Sequence, residues 1–233
     1  MRRPKQGELA LWRGKRGGWR PGAGRKPGPN PPVAHKPRKA FPSAHPCLVT
    51  LKVRPGMASL RMVGVVREVE ASFRQGAERG EFRLVHYSVQ SDHLHAIVEA
   101  EGPSALGRGM KSLAARFARA VNRALRRSGP VLRERYHLRV LASPRQVRNA
   151  LRYVLLNARR HWAKRRGSRV LPGPVRLDPA SSARWFRGWK PGSVGAEEAA
   201  RGIASPAVEA ARTWLLAVGW RRLGLLDPAD VPG

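Results

Sequence analysis

The chain has 233 residues, with 46 Lys and Arg against 15 Asp and Glu, a formal net charge of +31 and a pI near 11.9. That length supports one core with extensions, and that charge points to a polyanionic partner, nucleic acid before an anionic membrane surface. No apolar run reaches the roughly 18 residues of a membrane span, the charged start shows no secretory leader, and the single Cys47 excludes an intrachain disulfide, so a cytoplasmic setting is the expectation.

Residues 1–46 are rich in Gly, Pro, Arg and Lys, with Glu8 the sole acid. Such a segment buries too little apolar surface to offset its ordering entropy and reads as a disordered basic arm. Within it, Pro21-Gly-Ala-Gly-Arg-Lys-Pro-Gly28 resembles the AT-hook but lacks the Arg-Gly-Arg-Pro core of that element. Phosphate binding by the arm follows from its charge alone.

Alternation in Cys47–Val53 predicts a first strand, closed by Pro55-Gly56. Ser59 is the expected N-cap of a helix from Leu60 to about Glu78. Phe82–Gln90 and His93–Ala100 read as two strands of an antiparallel hairpin turning at Ser91-Asp92. A long basic helix follows from Ser104 to about Arg127, with Leu106, Met110, Leu113, Phe117 and Val121 at helical spacing. Val131–Leu141 reads as a fourth strand with Tyr136, Leu138 and Val140 on one face. Ser143-Pro144 opens a helix running to about Lys164. The order strand, helix, strand, strand, helix, strand matches the ferredoxin-like β-α-β-β-α-β pattern. It predicts an α+β fold: a four-stranded antiparallel sheet with two helices on one face, then a further helix. Residues 47–166 form the expected main domain. Residues 167–233 form an accessory segment with Trp185 and Trp189 in a loop and a last helix from Ser205 to about Trp220.

The chemistry starts at His93-Leu-His95. Residues i and i+2 of a strand share a face, so both imidazoles leave together while Leu94, Ala96 and Val98 face the other way. Two imidazoles and one further polar ligand leave room on a divalent ion for phosphate oxygens, which suits Mg²⁺ or Mn²⁺ more than a closed zinc site. Tyr153 and Asn157, four apart on a helix, share a face and would supply a nucleophilic oxygen and a metal ligand. The core has too few carboxylates for a nuclease built on Asp and Glu. Lys111, Arg116 and Arg119 on the basic helix, Arg133 and Arg135 on the fourth strand, and Arg152 and Arg159 around the tyrosine are the candidate DNA contacts, whereas His137 and His161 read as structural.

The segments His86–Val98, Met110-Lys111 and Tyr153-Val-Leu-Leu-Asn157 resemble the REP-associated tyrosine transposases of the HUH single-tyrosine superfamily over about residues 45–165. The resemblance implies that His93, His95 and Asn157 bind a divalent metal and that Tyr153 attacks single-stranded, hairpin-bearing DNA. It further implies a 5′-phosphotyrosine with a free 3′-hydroxyl, a bacterial nucleoid-associated setting, and a monomer or homodimer. Asp92 stands where many of those relatives carry Asn. The alternative is a non-catalytic nucleic-acid-binding protein on the same sheet, or a lapsed transposase relative. It explains the charge but gives no reason for the histidine and tyrosine pattern.

Overall fold

A computed structural model describes residues 41–76, 78–168, 173–201 and 205–232. The chain divides at Lys36, and everything described belongs to the unit Pro37–Gly233. The arm expected over 1–46 lies outside the described residues up to position 40. Phe41 is buried in the core, and the Pro46 carbonyl accepts from the Leu141 amide at 2.9 Å.

The strands are β1 (Cys47–Lys52), β2 (Glu78–Arg79), β3 (Phe82–Val89), β4 (His93–Ala100) and β5 (His137–Val140). The helices are α1 (Val63–Arg74), α2 (Pro103–Ala124), α3 (Pro144–Leu155), α4 (Asn157–Arg166), α5 (Val194–Ala200) and α6 (Trp214–Ala217). The sheet runs β2-β3-β4-β1-β5 and every pairing in it is antiparallel. Without the two-residue β2 at its edge, this is the expected α+β, ferredoxin-like four-stranded sheet.

Strand parity assigns the two faces. Leu94, Ala96 and Val98 of β4 join Val49 and Leu51 in a core shared with α1 and α2. Ile97 and Val85 join Val147, Leu151 and Val154 of α3 in a second core on the opposite face. β3 is buried along its whole length because both faces are covered. The short connection at Ser91-Asp92 closes with the Gln90 amide donating to His93 O at 2.8 Å.

Several element boundaries differ from the sequence expectation. α1 begins at Val63 because the Leu60 amide is bonded to Ser91 O, and Ser59 Oγ accepts from Arg61 N in a local turn instead of capping the helix. It ends at Arg74, ahead of Gly76, where a Cβ would stand 2.5 Å from the Arg116 guanidinium carbon. β5 covers only His137–Val140 of the expected fourth strand. The helix expected over Pro144–Lys164 breaks at Leu156 (φ −111°, ψ 16°). Val154, Leu155, Leu156 and Asn157 are buried in succession, which no single face of a straight helix allows.

The terminal helix expected from Ser205 shrinks to α6 and a 3₁₀ turn at Gly219–Leu223, while α5 was not foreseen. The amides before α6 are bonded elsewhere. Glu209 N donates to Leu84 O, and Arg212 N and Thr213 N donate to the Glu99 carboxylate at 2.9 Å each. Glu99 is fully buried and also accepts from Arg83 Nε and Thr213 Oγ1. It fastens the C-terminal segment to the α3 side of β4. Glu99→Ala removes every one of these bonds and leaves Arg83 buried beside a void, so urea denaturation should show a loss of about 3–5 kcal/mol. An unchanged midpoint would show that the segment docks without this carboxylate. Among the described residues no helix is long and apolar enough to cross a membrane.

Candidate active site

His93 and His95 project from β4 on the α3 side, as their spacing requires. Their Nε2 atoms are 2.9 Å apart. The Tyr153 hydroxyl of α3 lies 2.9 Å from the same His95 Nε2, with the two rings edge to face at 4.7 Å. Three groups from two distant parts of the chain therefore converge on one point.

Each imidazole is fixed through its other nitrogen. His93 Nδ1 donates to Asp92 Oδ1 at 2.7 Å, and His95 Nδ1 lies 2.9 Å from Thr50 Oγ1, its cross-strand neighbour on β1. The His93 bond holds the Asp92 carboxyl below its ordinary range, so the acceptor is ionised at neutral pH. Burial, reinforced by His93, His161 and Arg160, lowers His95 to about 3. His95 is thus neutral at pH 7, with Nε2 bare when the Nδ1 proton points at Thr50.

Asn157 opens α4, past the break at Leu156. The break interrupts the continuous helix from which a shared Tyr153–Asn157 face was expected. Asn157 is nevertheless fully buried, and neither its amide nitrogen nor its amide oxygen has a hydrogen-bond partner. A buried, unsatisfied amide costs about 1–3 kcal/mol. From α4, Arg160 sets its guanidinium 5.4 Å over the Tyr153 ring. His161, read from the sequence as structural, is lowered by burial and then by His93, which brings a third imidazole under the influence of the pair.

The residues fit a divalent ion on two grounds. Nitrogens 2.9 Å apart match neighbouring ligands at right angles around an ion with bonds of about 2.1 Å. The orphaned Asn157 amide offers an oxygen that the protein itself leaves unused. Among the described residues no third His, Cys, Asp or Glu joins a metal-binding group, so a third protein donor would come from an amide or a hydroxyl.

The basic residues split into two populations. Lys111, Arg116 and Arg119 lie on α2, across the sheet from the histidines. Arg116 is wedged between helices, donating to Ser72 O of α1 at 3.3 Å. Arg119 lines an open basin with Arg123, Arg126 and Arg127. Arg133 and Arg135 are exposed ahead of β5. Arg139 shares the histidine face through the register Arg139–Leu48–Ile97. Arg152 pairs with Asp230 at 3.4 Å, and Arg159 donates to Ala229 O at 3.0 Å, so both engage the C-terminal segment.

Asp92 and Thr50 were missed as orienting groups. Trp162 is about half exposed on α4, a helix with five Lys and Arg and no acid, and the Arg166 guanidinium lies over its ring.

No family model and no curated protein matches the chain. Among solved structures, the chain is similar to a REP-associated tyrosine transposase bound to a REP hairpin. The TM-score is 0.44, with 15% identity over 57% of this chain and 77% of that one. A likeness of that size does not assign an activity.

Asn157 permits a test in which stability and ion binding move in opposite directions. Asn157→Leu keeps the volume and removes the unsatisfied amide. The metal-free protein should gain about 1–2 kcal/mol in urea denaturation, while the stabilisation given by added Mn²⁺ shrinks. Destabilisation of the metal-free variant would mean that the amide already has a partner.

Proposed function

We propose that the protein cleaves and rejoins single-stranded DNA through a covalent tyrosine intermediate, aided by a divalent ion. The observation that carries this reading is the convergence of His93 Nε2, His95 Nε2 and the Tyr153 hydroxyl, with 2.9 Å between His95 Nε2 and each of the other two. Where both Nδ1 atoms carry the ring protons, toward Asp92 and Thr50, the two Nε2 atoms are left as neighbouring donors to a cation.

His93, His95 and Asn157 would hold Mn²⁺ or Mg²⁺. Bound there, the ion supplies charge stabilisation to the phosphate under attack and keeps it in line. Tyr153 Oη forms the bond to phosphorus, and the bond from phosphorus to the 3′-oxygen breaks. The phenol gives up its proton, the departing 3′-oxygen takes one, and the DNA 5′-phosphate remains on the tyrosine. Reversal by a 3′-hydroxyl restores a phosphodiester with no external energy source. Transposition or processing of repeat hairpins is the setting implied by the motif resemblance.

The test is to incubate the protein with hairpin-bearing single strands labelled on the 3′ side and Mn²⁺, then run a denaturing gel. A labelled band at the protein's size supports the reading. Tight binding with no band at any divalent ion supports a binding protein instead.

A further inference from the structure

A cleft of about 460 Å³ opens beside Tyr153, and neither His93 nor His95 lines it. We propose that it is a nucleotide pocket for the residue next to the attacked phosphate, with Asn149 reading its base. One wall is α3, whose Asn149 and Tyr153 are one turn apart and point the same way. The cleft is also lined by Arg139 of β5 and by Leu48 and Leu141. Arg139 flanks the opening as a cation for phosphate, while Arg152, which also lines it, is paired with Asp230.

The mixture fits a nucleotide: apolar side chains for a ring face, an amide for a base edge, a guanidinium group for the backbone. The volume is that of a small-ligand site. Within the cleft, the side-chain oxygen Oε1 of Gln146 accepts from the Ala142 amide at 2.8 Å and is committed to the start of α3. Asn149 is exposed. An asparagine amide sets a donor beside an acceptor, the pattern that pairs with a base edge by two bonds. The choice of a single-stranded polymer as ligand rests on the cleavage reading above, but the pocket requires no chemistry.

The experiment is therefore a binding selection in EDTA. Full-length protein captures hairpins whose single-stranded flanks are randomised, and the bound pool is sequenced. One flanking position should show a base preference of about tenfold. Asn149→Ala should flatten that preference while total affinity stays within about threefold. Arg139→Ala should weaken every sequence alike and reduce the salt dependence. An unaltered preference in Asn149→Ala overturns the pocket, as does a wild-type pool with no preference at any position. A preference that depends on Asn149 in a protein that never forms an adduct overturns the cleavage reading and leaves the pocket standing.

Discussion

Tyr153→Phe should abolish the covalent DNA adduct, with single-strand affinity nearly unchanged. The substitution removes one oxygen and keeps the ring against His95 and under Arg160. Stability should drop by no more than about 1 kcal/mol, the worth of one hydrogen bond. Loss of a nucleophile typically costs three or more orders of magnitude in rate. No other tyrosine can substitute. Tyr87 is buried in the core on the opposite face, where burial pushes its phenol up, and Tyr136 packs against that same core. An adduct of equal yield from the Phe variant would place the attacking group outside this constellation.

The second large effect is expected from His93→Ala combined with His95→Ala. Mn²⁺ binding, followed by calorimetry, should fall below detection, because two of three proposed protein donors are gone. The fold should survive. His93 is partly exposed, and His95, held neutral by burial, contributes no buried charge to the folded state. Asp92→Asn is the graded companion. It keeps the shape but loses the carboxylate that orients His93, and an affinity loss of about tenfold is expected. Retention of Mn²⁺ affinity by the double variant would favour a nucleic-acid-binding protein without catalysis.

The parts legible in the sequence are those set by local periodicity. The period of two in β4 put His93 and His95 on one side and Leu94 and Ala96 on the other, as the two cores bear out. The order of elements led to the sheet. The break at Leu156 was not legible, because Leu155 and Leu156 suit a continuous helix equally well and only burial on two sides separates them. Thr50 could not be linked to His95 without the pairing of β1 with β4. Arg116, a candidate DNA contact from its place on a basic helix, packs against α1, a contact that no local pattern carries. The C-terminal segment misled for a related reason. Its apolar residues suggested one helix, whereas its amides are bonded to Glu99 and Leu84, more than a hundred positions earlier.

The position of β4 within the sheet has a thermodynamic consequence. It is bonded on both sides, to β3 and β1, and covered on both faces. Amides of such a strand exchange with solvent only when the whole domain opens. The entropy of bringing the two imidazoles together is therefore lost during folding, before any ligand arrives. An ion or a phosphate meets a pair already set, and its binding should show little of the unfavourable ordering that a site built on loops imposes.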